Sequence, residues 1–291
     1  MMQQRQVAGA PWIPPHAYFV VSAIFHYLGP AFAVLLFARV GVLGVAWMRI
    51  ATAAVIFALW RRPWRLLLEG GWSDRRLLIA LGAVLGLMNA CFYLAIARLP
   101  LGTVGAIEFL GPIILAALGM HTGRNYFALG LALAGGGLLT DVRLGGQPVG
   151  FIFAFANGAL FMLYVMLGHR IAQDGGRAGI ERLGAAMLVA LVVITPLGLR
   201  DALPAFSSPQ LLLAGIAVGV CSSVIPYVTD QMAMARLPRA TFALLLSLLP
   251  ATAALIGVVV LRQIPSPPEL LGVALVMVGV ALHQEPRESH A

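Results

Sequence analysis

The sequence predicts an all-α membrane protein of ten transmembrane helices, arranged as two inverted five-helix repeats. Composition, a succession of apolar runs and an internal repeat together predict it. Of the 291 residues, 60% are hydrophobic and 10% are charged, with a mean hydropathy of +0.93. A soluble domain carries about 25% charged residues. This chain has too little polar surface to face water, and a bilayer resolves the deficit.

Charge and turn residues divide the chain into apolar runs near 17–38, 41–60, 77–97, 102–120, 125–140, 149–168, 183–199, 210–231, 240–261 and 269–283. Most approach the roughly 20 residues that cross about 30 Å of hydrocarbon. The first is longer than a signal-peptide core and has no basic start beyond Arg5, so it reads as a retained helix. Connections are short, the longest being 61–76, which leaves no room for an inserted soluble domain.

All 19 basic residues are arginine. Without lysine the chain has no Walker A phosphate loop, so any pumping draws on a gradient or a separate ATPase. The net charge of +8 does not mark a nucleic-acid binder, because the arginines lie in short loops rather than along one helix face. With ten spans, Arg39, Arg98, Arg143, Arg200 and Arg262 fall on one side of the membrane. Arg49 lies within the second run, and all the others share the opposite side. The positive-inside rule then predicts cytoplasmic termini.

The repeat is explicit. Ala97-Arg98-Leu99-Pro100 precedes Thr103 and Pro112, and Ala235-Arg236-Leu237-Pro238 precedes Thr241 and Pro250, each pair offset by 138 residues. Leu129-Gly130 and Leu271-Gly272 correspond after a four-residue insertion. Residues 1–140 thus match 141–291. Five spans per half is odd, so the second half enters the membrane upside down. That is an arrangement of secondary transporters, which hold substrate near the midplane.

Glu108 lies mid-way along the fourth run, where an ionised carboxylate costs about 2.5–3.5 kcal/mol on insertion scales. Pro112, four residues on, has no N–H and leaves the Glu108 carbonyl without its helical partner. One turn therefore offers a carboxylate and a carbonyl to an ammonium or a proton. The plain alternative is a protonated Glu bonded to a neighbouring helix. Arg49 can bind a substrate carboxylate in a fork, neutralise Glu108, or snorkel to the interface. Asp230 follows Pro226, which frees the Ser222 carbonyl, and reads as a gate, a coupling group or a plain helix-end carboxylate. His26 precedes Pro30 and is either a proton shuttle or a hydrogen-bonded core histidine. Asn89, Tyr93, Tyr27 and Tyr164 either line a cavity or join helices. Gly82/Gly86 and Gly215/Gly219 read as close helix packing, and Cys91 and Cys221 as small packing residues. A G-x-S-x-G elbow, an H-E-x-x-H helix and a Cys/His metal cluster are all missing from the sequence, so nothing points to an enzyme.

The segment Leu101-Gly102-Thr103-Val104-Gly105-Ala106-Ile107-Glu108-Phe109-Leu110-Gly111-Pro112 resembles the fourth helix of threonine/homoserine exporters in the drug/metabolite transporter superfamily, EamA type. Ile225-Pro226-Tyr227, Arg236-Leu237-Pro238 and Thr241-Phe242 are similar to that pattern, as are Pro63-Trp64-Arg65-Leu66, Met88-Asn89 and Phe92-Tyr93-Leu94. The likeness covers nearly the whole chain. It implies an inner-membrane exporter of threonine, homoserine or related amino acids, with aromatic amino-acid exporters as near relatives. Alternating access is implied too, with neither cofactor nor metal. The implied partners are an amino-acid substrate and membrane lipid, with no nucleic acid. Arg49, Asn89, Tyr93, Glu108, Tyr164 and Asp230 match positions in the family pattern, and the first five are expected to bind substrate. Asp230, His26 and the prolines Pro112, Pro226 and Pro250 are expected to gate or couple. The chain departs from the pattern at Leu249, where a Glu is usual before the proline, and at Arg262-Gln263, where Gly-Glu is usual. His26 and Val34 differ as well.

Overall fold

The structure is a computed structural model describing residues 14–111, 113–114, 122–141, 147–172, 176–234 and 245–282. Every regular element among them is helical. In chain order these are α1 (Pro15–Val40), α2 (Val42–Arg61), α3 (Trp64–Glu69), α4 (Trp72–Ile96), α5 (Leu101–Glu108) and α6 (Gly123–Asp141). They continue with α7 (Pro148–Ala172), α8 (Gly176–Phe206), α9 (Pro209–Gly219), a π-turn (Val220–Val224), α10 (Ile225–Met234), α11 (Leu249–Leu261) and α12 (Pro267–Leu282).

Among the described residues six continuous helices are long and apolar enough to cross a membrane: His16–Val40, Val42–Arg61, Trp72–Ile96, Pro148–Gly168, Gly179–Phe206 and Pro209–Asp230. Leu249–Leu261 and Pro267–Leu282 are shorter apolar helices. The chain is a multi-pass membrane protein. Its outer face is apolar where a soluble protein would be charged: Leu59 is 79% exposed and Val192 73%. Trp60, Trp64 and Trp72 are also exposed, beside Arg61, Arg62, Arg65, Arg75 and Arg76. Amphipathic rings among arginines are what a membrane–water boundary selects.

Proline and left-handed residues mark the boundaries. Pro15, Pro209 and Pro267 open helices, where the missing N–H is no loss. Gly41, at φ 79°, turns the chain between α1 and α2, and Arg62 (φ 52°) and Arg262 (φ 56°) end α2 and α11 in the left-handed conformation. Ser266 caps α12, its N–H and hydroxyl both donating to Glu269 Oε2 at 2.8 and 2.9 Å. This is the reciprocal arm of a capping box.

Two runs that read as single spans are interrupted. α5 stops at Glu108 and Phe109 is a turn, before residues 110–111 and 113–114 resume as helix. In the ninth run, residues 245–246 are helical, 247–248 form a turn, and α11 starts at Leu249. Pro250 therefore lies in the first turn of a helix instead of kinking one.

Helices pack through small residues. α2 lies along α8, α4 along α7 and α8, α6 along α12, and α1 along the α9–α10 rod. A methyl group on Gly82 would lie 2.5 Å from the Ala186 carbonyl oxygen of α8, and one on Gly219 2.5 Å from Thr52 Cβ of α2. Both glycine pairs picked out in the sequence therefore serve close packing. α6 and α12 meet backbone to backbone, with Gly135 against the Gly272 carbonyl and Gly279 against that of Ala128.

Candidate functional site

Glu108 ends α5, which packs on α11 and α7 and receives a tyrosine from α1. α11 packs at Gly102 and Gly105, where added methyls would meet Ala254 Cα at 2.9 Å and Ala253 Cβ at 2.8 Å. α7 packs at Gly111 and Gly158, the latter facing the Ile107 carbonyl. α1 brings Tyr27, whose hydroxyl lies 3.2 Å from where a Gly105 methyl would sit.

The Glu108 side chain is buried, and its Oε1 accepts from Asn157 Nδ2 of α7 at 3.2 Å. Among the described residues Glu108 Oε2, Asn157 Oδ1, Tyr27 Oη and Tyr93 Oη are buried without a hydrogen-bond partner. A buried polar atom left so costs about 1–3 kcal/mol, and such atoms are few in native structures. Arg49 of α2 is 5% exposed. Its Nε donates to Ser223 Oγ at 2.9 Å and its Nη2 to the Ser222 carbonyl at 2.8 Å. Its guanidinium carbon lies 5.6 Å from the Tyr93 ring centroid and within electrostatic reach of Glu108, His26 and Tyr227. Arg49 thus forms no ion pair with Glu108. It lies in the same cluster and is held by the π-turn.

That hold has a local cause. Pro226 offers no N–H to the Ser222 carbonyl, the backbone opens into the π-turn, and the guanidinium supplies the missing donor. α1 crosses here so tightly that a Gly29 methyl would meet Ser222 N at 2.6 Å. Ser222 Oγ donates to the Val218 carbonyl of its own helix.

The structure therefore brings Arg49, Tyr93 and Glu108 together. His26, half-buried and edge-on to Tyr27 at 5.1 Å between centroids, stands at their margin. Tyr164, Tyr227 and Asp230 act on one another electrostatically, and Tyr227 also feels Arg49 and Glu108. Asp230 faces the Ser22 hydroxyl, which also donates to the Pro226 carbonyl at 3.4 Å. Asn89 is buried but turned to its own helix, donating to Leu85 O at 2.8 Å. Pro112 lies outside the described residues. Asn157, Ser222, Ser223 and Tyr227 complete the cluster and were missed as site residues in the sequence. For Asn157 a signal existed, since it is a strongly polar amide in the middle of an apolar run.

A cavity of about 430 Å³ lies elsewhere, at the ends of α4, α5, α11 and α12, with Arg98, Thr103, Gln263 and Glu269 among its lining. It stops at Gly102, Thr103 and Ala254, about 7.5 Å along the helix from Glu108. Gln263 Oε1 accepts from the Leu101 N–H at 3.0 Å and so holds the start of α5 at this mouth.

Similarity to known proteins covers the chain. The model of the EamA-like transporter family matches residues 148–283. Threonine/homoserine exporter RhtA of Escherichia coli (strain K12) is 31% identical over 273 residues, covering 91% of this chain and 89% of that protein. Its counterpart in Salmonella typhimurium (strain SL1344) is 33% identical over 239 residues, 81% of this chain and 79% of that one. A solved crystal structure at 17% identity superposes with a TM-score of 0.52 over 92% of this chain and 96% of its own, a likeness of fold. The chain belongs to the EamA-like transporter family.

Proposed function

We propose that the protein is a secondary transporter that exports amino acids of the threonine and homoserine kind across the inner membrane by alternating access. The observation that carries this reading is the buried Glu108 with an unpartnered carboxylate oxygen, set in one cluster with Arg49 and two unpartnered tyrosine hydroxyls. An anionic and a cationic group in one enclosed polar cluster suit a zwitterion. The relatives' names supply the class of zwitterion.

The proposed frame is ten spans in two inverted repeats, 1–140 and 141–291, with cytoplasmic termini. Helix packing supports it. With the apolar runs numbered in order, the second packs on the seventh, the fourth on the ninth and the fifth on the tenth. The third packs on the sixth as the eighth packs on the first, and the third on the seventh as the eighth on the second. Shifting every partner by five reproduces the main contacts. The turns at Phe109 and at 247–248 also correspond under the 138-residue offset. Interrupted helices facing each other across the repeats are where transporters hold substrate. Glu108, Arg49, Tyr93 and Tyr164 would line the pathway. Asp230, His26, Pro226 and Pro250 belong to the moving parts, as does Pro112, and Asn89 shapes α4.

Counterflow tests the proposal. Liposomes containing the protein and preloaded with unlabelled L-threonine are expected to take up labelled threonine above protein-free vesicles. Homoserine should suppress the uptake, and a cationic drug of similar size should leave it unchanged. Uptake suppressed by the drug alone would move the protein to drug export on the same scaffold, and no uptake by folded protein would overturn the amino-acid reading.

A further inference from the structure

Asn157 has no role in the family resemblance, yet it is fully buried and touches Glu108. An ionised carboxylate only accepts hydrogen bonds. Facing it, the amide must present Nδ2, which donates to Oε1 at 3.2 Å. Two consequences follow from that one bond. The Glu108 carboxylate is held in a single orientation, and the amide's other end, Oδ1, is left as an acceptor. Both remaining acceptors, Glu108 Oε2 and Asn157 Oδ1, are buried without partners among the described residues. The Tyr27 hydroxyl, which lies 3.2 Å from where a methyl on Gly105 would sit, one turn before Glu108, and is also unpartnered, adds a third oxygen.

The register is fixed by backbone. Gly111, just past the turn that ends α5, and Gly158 on α7 are the contact points: a methyl on Gly111 would lie 2.7 Å from the Gly158 carbonyl, and one on Gly158 3.2 Å from that of Ile107. Asn157 and Glu108 each neighbour one of these contacts in sequence, so their side chains meet without having to search for each other.

A primary ammonium carries three N–H donors. Two fixed acceptors and a hydroxyl oxygen match that count, whereas a neutral hydroxyl, with one donor, would leave part of the set unmet and a planar guanidinium, with five, would bring more donors than the set can take. We infer that Glu108 and Asn157 form a paired-acceptor cradle for the substrate's primary ammonium, so that Asn157 sets the preference for free α-amino groups over N-substituted ones. The inference rests on the amino-acid reading above and names the part of the site that reads the amine. Glu108 supplies the charge; Asn157 orients it and takes one N–H itself. A methyl on the substrate nitrogen removes a donor and pushes carbon against an acceptor that has no other partner.

The test is competition in the counterflow assay, with L-threonine and N-methyl-L-threonine as probes against labelled threonine. For the unaltered protein, N-methylthreonine is expected to compete about ten-fold more weakly or worse, the scale of one hydrogen bond to a charged group. In Asn157→Leu the affinity for threonine falls and the gap between the two compounds closes, because the acceptor that told them apart is gone. A purely structural role for Asn157 would lower uptake and keep the ratio. If the leucine variant is not monodisperse by size exclusion, Asn157→Ala, smaller and likewise without an acceptor, decides by the same ratio. Equal competition by both probes in the unaltered protein, or an unchanged ratio in the variants, overturns the inference while threonine uptake leaves the amino-acid reading standing. Absence of any amino-acid uptake overturns both.

Discussion

Arg49 Nη2 donates to the Ser222 carbonyl at 2.8 Å, the backbone acceptor that Pro226 leaves without an N–H. The bond joins α2 to the π-turn across 173 positions of sequence. It makes a buried arginine part of a backbone defect, and each member of the arrangement can be removed separately.

Arg49→Lys keeps the charge but cannot span Ser222 O and Ser223 Oγ with a rigid fork. Its thermal unfolding midpoint in detergent, followed by tryptophan fluorescence, is expected to fall, by the equivalent of about 1–3 kcal/mol. Arg49→Met should fall further. A midpoint unchanged in both variants would mean that the fork does not hold the π-turn.

Pro226→Ala restores an N–H four residues after Ser222. The helix can then close its own bond, and the carbonyl no longer needs the guanidinium. The double variant Arg49→Met/Pro226→Ala is expected to be more stable than Arg49→Met alone by about 1 kcal/mol, the worth of one ordinary hydrogen bond. Equal midpoints would show that Pro226 is not what opens the turn.

Glu108→Gln preserves shape and removes the charge. Counterflow uptake of threonine at limiting concentration is expected to drop about ten-fold or more, in protein that still elutes as a single species. The scale is that of a hydrogen bond to an ionised group. Uptake unchanged at both limiting and saturating threonine would take the carboxylate out of the pathway.

The cavity lined by Thr103 and Gln263 ends where Gly102 packs on Ala254, so opening toward Glu108 from that side must part α5 from α11. Gly102→Cys/Ala254→Cys, with Cys91 and Cys221 replaced by Ala, is expected to cross-link under mild oxidant and stop counterflow, and reductant should restore it. Full uptake by the cross-linked protein would show that this contact does not move.

Gly105→Ala puts a methyl 2.8 Å from Ala253 Cβ and 3.2 Å from the Tyr27 hydroxyl. Overpacking of that kind costs about 1–3 kcal/mol, so both the unfolding midpoint and threonine uptake should fall. A variant as stable and active as the parent would mean the helices have slack at this crossing.

Much of this was legible in the sequence, for physical reasons that differ from residue to residue. The apolar runs announce a membrane protein because a bilayer imposes length and composition together. Glu108 and Arg49 stand out because charge is costly there. The free carbonyl of Ser222 follows from Pro226 alone. The donor that satisfies it did not, because Arg49 and Ser222 are brought together only by packing. Asn89 and Asn157 look alike in sequence, each a lone amide in an apolar run. One turns to its own backbone at Leu85 and the other to Glu108, and only the neighbouring helix decides which. The interruption at 247–248 was likewise hidden, because Leu-Ser-Leu-Leu carries no breaker of its own before Pro250.

The seam between α6 and α12 bears on how the molecule can move. There Gly135 meets the Gly272 carbonyl and Gly279 that of Ala128, at separations too small for any side chain. Surfaces mated so closely have no low-energy way to slide, yet they can tilt about the line of contact. This seam is therefore suited to act as the fulcrum. In the proposed alternating access, α5, which ends at Glu108 before the turn at Phe109, and α11, which starts after the turn at 247–248, would be the levers about it.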